Sequence, residues 1–175
     1  MKLIVVTGLI GSGKGEVARY IAEKHGYTLL DHSAIMGKML RGMGRSETRE
    51  EKAKLRLEQG NTFTAEIIVK EIQKRGLKKV VIGSSRRPEE FLAARKAFPE
   101  AKLVVVEASG RLRYARLQKR VRDRPKDWES FLRVDKKEEK MFSLKETFSH
   151  ADFVIKNNSS LKDLHAMIDK VMGKI

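Results

Sequence analysis

A glycine-rich segment near the start of the chain constrains the fold more than any other feature. It reads Gly-Leu-Ile-Gly-Ser-Gly-Lys-Gly over residues 8–15, after an apolar run at 3–6 and before an amphipathic run at 17–22. A strand, a glycine-rich turn and a helix in this order form a P-loop, where backbone N–H groups and the positive end of the helix dipole converge on a polyphosphate. Lys14 then reaches the β- and γ-phosphates. The predicted nucleotide-binding residues are Gly8, Leu9, Ile10, Gly11, Ser12, Gly13, Lys14, Gly15 and Glu16.

The residue after the P-loop lysine departs from the usual pattern. A Ser or Thr there places a hydroxyl on Mg²⁺, but this chain has Gly15 followed by Glu16. No direct metal ligand is therefore predicted. Binding of Mg²⁺ through water near Asp31 or Glu16 stays open as an alternative.

Length and composition narrow the class of protein. A chain of 175 residues suits one domain, and the absence of cysteine excludes disulfides and thiolate metal sites. No apolar run approaches the length of a signal peptide or a membrane span, so we expect a cytoplasmic, soluble protein, monomeric or homodimeric. The net charge of +15 indicates a polyanionic partner or a basic phosphate cleft, unless it reflects a highly charged, thermophile-like surface.

Apolar β-branched segments alternate with helical patterns along the chain. The predicted strands are 3–7, 27–31, 79–82, 103–107 and 153–155. The predicted helices are 14–25, a long region at about 33–75, 88–97, 111–120, 128–148 and 161–174. This order predicts an α/β fold with a five-stranded parallel sheet between two layers of helices. Ligands bind at the carboxyl ends of such strands, so residues 8, 31, 83–87 and 107–110 should lie near one another.

Asp31 ends the second predicted strand, where the phosphoryl acceptor lies in many P-loop proteins. An aspartate there can orient the acceptor hydroxyl, take its proton or hold a metal-bound water. The alternative is that Asp31 only caps the following helix. The adjacent His32 is interpreted as a turn residue.

The loop after the third strand carries Arg86 and Arg87 before Pro88. Guanidinium groups bind phosphate in a bidentate manner, so both arginines are predicted to hold the acceptor. The alternative is a solvated basic loop. Gly83, at the end of this strand, has no side chain that could hold a metal-bound water.

A dense run of cations covers residues 111–126. Arg113, Arg116 and Arg120 share one helical face, which is typical of a mobile cap that delivers arginines to a triphosphate. The alternative is a solvated face neutralised by the acidic residues beyond it, which are Glu129, Asp135, Glu138 and Glu139. Trp128 and Phe131 are interpreted as buried anchors of the next helix. With 6% aromatic residues and no aromatic-interleaved strand, RNA binding is expected only as a secondary association.

Several segments resemble known nucleotide kinases. The Gly-Lys-Gly of the loop resembles adenylate kinase, whereas residues 7–14, Leu30-Asp31 and residues 151–161 resemble bacterial dephospho-CoA kinase. Residues 116–120 are similar to the lid entrance that both groups share. The segment 127–139 is most similar to an archaeal family of P-loop proteins related to both kinases.

The resemblance implies a nucleoside-monophosphate-kinase-like fold that uses ATP and Mg²⁺. It implies an acceptor-binding insertion at about 33–75 and a lid within 111–127. Lys14, Asp31, Arg116 and Arg120 would be catalytic, and Asn157 would lie near the adenine. Two departures weaken metal placement, because Glu16 replaces a threonine and Gly83 replaces an acidic residue. The implied activity is dephospho-CoA-kinase-like. The alternatives are a nucleoside monophosphate kinase and a non-catalytic, RNA-associated nucleotide-binding protein.

Overall fold

Five parallel strands form one sheet in the order β2-β3-β1-β4-β5. The structure is a computed structural model that describes residues 1–121 and 124–175. The strands are β1 (Lys2–Thr7), β2 (Thr28–Asp31), β3 (Lys79–Ser85), β4 (Lys102–Glu107) and β5 (Phe153–Lys156). The P-loop follows the central strand, so β2 and β3 lie on one side of it and β4 and β5 on the other. This confirms the predicted α/β fold.

The helices of the described residues connect the strands and cover both faces of the sheet. They are α1 (Lys14–His25), α2 (His32–Gly42), α3 (Arg49–Gln59), α4 (Phe63–Lys74), α5 (Pro88–Ala97), α6 (Gly110–Gln118), α7 (Trp128–Met141), α8 (Leu144–Ser149) and α9 (Leu161–Met172). None of them combines the length and apolar character that a membrane span needs.

The sheet is buried on both faces because its strands are apolar at successive positions. Along β1, Ile4 and Val6 point to the layer formed by α1 and α9. Leu3 and Val5 point to the opposite layer, where α4 and α5 pack. The three-layer α/β/α arrangement follows from this alternation.

The insertion between β2 and β3 consists of three helices with a small core of their own. Met36, Leu40, Leu55 and Phe63 form that core, and glycines after α2 and α3 separate the helices. The last helix, α4, returns to the main sheet through Ile68 and Ile72. The insertion therefore leans over the carboxyl ends of β2 and β3.

A fourth apolar cluster joins the P-loop to α6 and α7. Ile10 of the loop packs with Leu117 and Phe131, and Tyr114 and Trp128 cover this contact. Phe131 is buried and Trp128 half-buried, which confirms that these aromatic residues anchor α7 in a core.

Some predicted boundaries are wrong in an informative way. The strand predicted to end at Ile82 continues to Ser85, because Ser85 still pairs with Thr7 across a register shift. The helix predicted over 128–148 is interrupted at Ser143, whose φ of 49° no α-helix accommodates. The region predicted as helical at 33–75 divides into three helices.

Candidate nucleotide and acceptor site

The P-loop is a tight turn whose glycines are required by their surroundings. Gly13 has a φ of 96°, and a Cβ there would clash with the Asn157 amide. A Cβ at Gly8 would clash with the carbonyl oxygen of Val106 and lie 2.6 Å from the Ser12 hydroxyl. That hydroxyl is buried and has no hydrogen-bond partner in the described structure. A glycine cradle with an unpaired hydroxyl fits a phosphate group as its occupant.

Asn157 holds the loop from the side of β5. Its amide Nδ2 donates to the Ser12 carbonyl at 2.8 Å, and its own backbone N–H donates to the Glu107 carbonyl at 2.7 Å. Arg116 donates to the Asn157 carbonyl at 3.0 Å and also to the carbonyls of Gly11 and Ser12. Asn157, predicted to lie near the adenine, is thus a buried brace of the P-loop. Arg116, which lies on α6, contacts both Asn157 and the P-loop carbonyls, and so it helps to hold the loop in this structure.

The sequence predicts that Arg113 belongs to a cap that delivers arginines to a triphosphate, but Arg113 is instead buried and forms a second brace. Its guanidinium donates to Asp135 of α7 at 2.5 and 2.7 Å and to the Ile10 carbonyl at 3.2 Å. Charge-assisted bidentate pairs of this kind are strong and fix orientation. The predicted acidic partner Asp135 is confirmed by this contact, which ties α6, α7 and the loop together.

Lys14 lies folded across the loop, where its ammonium donates to the Leu9 carbonyl at 3.2 Å. Its pKa is lowered to about 7, chiefly by burial and also by the nearby guanidinium groups of Arg86, Arg120 and Arg49, against an opposing effect of Glu138. These groups come from four separate parts of the chain. Charged groups from the insertion, the loop after β3, the lid side and α7 therefore act together on the Lys14 ammonium.

Glu16 points away from the loop, toward α9. Its carboxylate accepts a hydrogen bond from His165 at 2.9 Å and forms an ion pair with Arg19. Partial burial raises the pKa of Glu16, but these two hydrogen bonds outweigh it and the pKa is lowered. His165 also stacks on Tyr20 of α1. Glu16 therefore clamps α1 to α9, and its carboxylate is already committed there.

Asp31 lies at the junction of β2 and β3. Its Oδ1 accepts from the Ala34 N–H at 2.9 Å and so caps α2, while its Oδ2 accepts from the Ser84 hydroxyl at 2.7 Å. A Cβ at Gly83 would lie 2.7 Å from that Oδ2. Gly83 thus leaves room for the carboxylate of Asp31 beside β3. The capping alternative is observed, and the same carboxylate also lies at the edge where ligands bind.

Arg86 and Arg87 lie over the face of Phe142. Their guanidinium carbons are 5.2 and 5.3 Å from the ring centroid, in cation–π geometry. Arg86 also pairs with Glu138 of α7 at 3.1 Å. The loop after β3 is therefore packed against α7, rather than solvated.

Buried polar side chains hold this loop in place, and their contacts are not predicted from the sequence. Glu90 accepts from the Arg86 backbone N–H at 2.8 Å and from Arg56 of α3 at 3.1 Å. His32, interpreted as a turn residue, is instead buried, and it hydrogen-bonds the Thr64 hydroxyl at 2.8 Å. Burial lowers the pKa of His32. No local signal marks the pairs His32–Thr64 and Arg56–Glu90, since their members lie 32 and 34 residues apart in the chain.

The region implied to be a lid begins after α6. Gln118 donates to the Pro125 carbonyl at 2.7 Å and accepts from Arg124 at 2.8 Å, so residues 124 and 125 lie against the end of the helix. Arg122 and Asp123, which belong to the predicted cationic run and its break, lie outside the described residues. Arg120 is close enough to Lys14 to lower its pKa.

Comparisons with known proteins agree with this architecture. Residues 4–141 match a protein family described as an AAA domain. A UPF0200 protein of Pyrococcus abyssi is 35% identical over 183 residues, which cover 99% of this chain and 96% of that protein. A UPF0200 protein of Pyrobaculum aerophilum is 35% identical over 177 residues, with 98% and 97% covered.

Solved kinase structures share the fold at low sequence identity. A shikimate kinase from Bacteroides thetaiotaomicron matches with a TM-score of 0.69 and 14% identity, over 98% of this chain and 97% of that chain. A gluconokinase from Sinorhizobium meliloti matches with a TM-score of 0.64 and 18% identity, over 99% and 94%. The chain is a member of the UPF0200 family, built on a P-loop domain with a kinase-like fold.

Proposed function

We propose that the protein is an ATP-dependent phosphotransferase that moves the γ-phosphoryl group of ATP to a small nucleotide-like acceptor. The observation that carries the proposal is the environment of Lys14. Lys14 lies at the head of the P-loop helix, and burial, together with the charges of Arg86, Arg120 and Arg49, lowers its pKa to about 7. A triphosphate beside an anionic acceptor neutralises such a cluster, and phosphoryl transfer depends on charge stabilisation of this kind.

The residues of the site divide between the two substrates. The loop amides and Lys14 bind the phosphates of ATP. Asp31 orients the acceptor and takes the proton of its hydroxyl, which requires the carboxylate to exchange its Ser84 hydrogen bond for one from the acceptor. Arg86 and Arg87 hold the acceptor's phosphate, and Arg120 approaches from the lid side.

Mg²⁺ would supply charge neutralisation between the phosphates when it is bound. The donor set fits an ion held through water by Asp31, because Gly83 leaves the carboxylate beside β3. Glu16 is the poorer candidate, since His165 and Arg19 already use its carboxylate.

Dephospho-CoA is the acceptor we propose first, because Asp31 would serve as the base for a ribose hydroxyl. A nucleoside monophosphate is the second, because Arg86 and Arg87 would hold the phosphate that accepts the transfer. Solved structures that share the fold include kinases named for shikimate and gluconate, which is in keeping with a small acceptor.

A transfer assay tests the proposal. The protein is incubated with γ-labelled ATP and Mg²⁺, and in turn with dephospho-CoA and each monophosphate, with Lys14→Ala as the control. We expect label in one acceptor and none with the variant. ATP binding in calorimetry with no label in any acceptor would overturn the enzyme and favour a nucleotide-binding regulatory protein. The commitment of Glu16 to α9 is the observation that favours this second function.

A further inference from the structure

Glu138 of α7 stands between two of the arginines that face Lys14. Its Oε1 lies 3.2 Å from a terminal nitrogen of Arg49 and 3.1 Å from a terminal nitrogen of Arg86. Its side chain is only 13% exposed. One carboxylate oxygen is thus shared by guanidinium groups that come from the insertion and from the loop after β3.

The negative charge of Glu138 acts on Lys14 in the same direction as a bound phosphate would. It raises the pKa of Lys14, against the effects of Arg86, Arg120 and Arg49. The same carboxylate oxygen contacts both Arg49 and Arg86. Phosphate offers more oxygens and more charge than a carboxylate, and guanidinium groups bind it in bidentate geometry.

The position of Glu138 on α7 connects the site to the lid. The helix begins at Trp128, directly after the lid region, and the face that carries Glu138 also carries Asp135 and Phe142. Asp135 pairs with Arg113 at 2.5 Å, and Phe142 lies under the guanidinium groups of Arg86 and Arg87. Glu139, the next residue, faces elsewhere and pairs with Lys145 at 3.4 Å.

We propose that the Glu138 carboxylate occupies, as a tethered anion, the subsite that Arg49 and Arg86 form for a phosphate group of the acceptor. The acceptor's phosphate binds both guanidinium groups and displaces Glu138, so α7 loses its contacts with Arg49 and Arg86 at this residue. The substrate class is then a phosphate-bearing acceptor, and an acceptor without phosphate leaves Glu138 in place. This inference rests on the proposed function for the identity of the second ligand.

Phosphate binding to three proteins tests the inference. Wild type, Glu138→Gln and Glu139→Gln are first saturated with Mg²⁺ and a non-hydrolysable ATP analogue, which fills the P-loop, and are then titrated with inorganic phosphate. Removal of an internal competitor should tighten phosphate binding by about tenfold in Glu138→Gln. Glu139→Gln, which loses a neighbouring carboxylate of the same helix, should stay within about twofold of wild type.

Further variants and ligands locate the phosphate subsite and separate this inference from the proposed function. Arg86→Gln added to Glu138→Gln should abolish the gain, and acetate, a carboxylate like the one removed, should bind to Glu138→Gln more weakly than phosphate does. Equal or weaker phosphate binding by Glu138→Gln would overturn the inference. If the ATP analogue fails to bind, the proposed function fails. The phosphate comparison is then made between Lys14→Ala and Lys14→Ala/Glu138→Gln, where it tests the subsite alone. Titration with AMP and with dephospho-CoA then shows which phosphate-bearing acceptor displaces Glu138.

Discussion

The charge of the site around Lys14 determines whether the Lys14 side chain is protonated near neutral pH. Burial and neighbouring arginines hold its pKa at about 7 in the ligand-free protein, so at pH 8 most of the ammonium groups are deprotonated. Phosphates raise the pKa of a lysine that they contact. The pH window between the free and bound pKa values is where binding and protonation are coupled.

We therefore expect ATP binding at pH 8 to take up about one proton per molecule. Calorimetry in two buffers of different ionisation enthalpy measures this uptake, and the affinity for ATP should fall as the pH rises above about 7. Lys14→Arg, which stays charged throughout, is the matched control and should show no uptake. Equal enthalpies in both buffers for the wild type would refute the coupling.

Asp31 makes two structural hydrogen bonds, with Ala34 and with Ser84, whose effects must be distinguished from a role in catalysis. Asn caps helices as well as Asp does, so Asp31→Asn should retain the hydrogen bond from the Ala34 N–H and the fold. It loses the ability to take a proton. We expect turnover to fall by about 10²–10⁴, with ATP affinity almost unchanged.

The control for Asp31 is Ser84→Ala, which removes only the hydroxyl that donates to Oδ2. Steady-state kinetics should show a small change in this variant compared with the large loss in Asp31→Asn. Turnover by Asp31→Asn at the wild-type rate would remove Asp31 from the catalytic residues and leave it as a cap.

At this scale the sequence identifies residues better than it identifies their partners. The loop from Gly8 to Lys14 can be predicted because phosphate binding requires its glycines and lysine at this fixed spacing. The buried pair of His32 and Thr64 cannot, since the contact depends on how α2 and α4 pack. Glu16 is similar: its commitment to His165, 149 residues away, follows from the packing of α1 against α9.

The elements around the P-loop work as braces, and the strongest comes from the segment after β5. Asn157 supplies the donor for the buried Ser12 carbonyl and an acceptor, Oδ1, for Arg116 at 3.2 Å. Without Asn157 the Ser12 carbonyl keeps, in the described part of the chain, only the longer hydrogen bond from Arg116 at 3.3 Å, and a poorly satisfied buried carbonyl costs about 1–3 kcal/mol. The loop's shape thus depends on a side chain far from it in the sequence.

Asn157→Ala should lower the free energy of unfolding by about 1–3 kcal/mol and weaken ATP binding. Urea unfolding and ATP titration measure the two effects. Asn158→Ala is the control, because Asn158 is exposed and accepts only from the Ser109 N–H at 2.8 Å among the described contacts. If both variants bind ATP as the wild type does, the brace has no part in shaping the loop.

Helix α7 shows what periodicity can and cannot predict. Phe131, Asp135, Glu138 and Phe142 recur at spacings of four, three and four, so the sequence predicts that they share one face. Neutralisation of the α6 cations by these acidic residues is the alternative to a mobile cap, and it is observed for Arg113 and Asp135. The contact of this face with Arg86 and Arg49 is not predictable, because it requires α7 to lie across the loop after β3.

For the whole molecule, the net charge of +15 is compatible with two distributions. The excess can be spread over the surface, where an RNA can bind it, or concentrated at the carboxyl edge of the sheet. The lowered pKa of Lys14 and the ring of arginines around it favour concentration at the site. A specific anion should then stabilise the fold beyond the effect of ionic strength, because it binds the native state alone.

We expect sodium phosphate to raise the melting temperature by several degrees relative to sodium chloride at the same ionic strength. For a domain of this size a gain of about 1 kcal/mol shifts the midpoint by about 2–4 °C, and general screening is equal in both salts. Scanning calorimetry measures the shift. ATP and Mg²⁺ fill the P-loop, so at saturation the difference between the salts should shrink to the part that the subsite of Arg49 and Arg86 contributes. A difference that ATP does not reduce would place the phosphate-binding charge elsewhere on the surface, and would favour a nucleic-acid partner whose affinity falls steeply with salt.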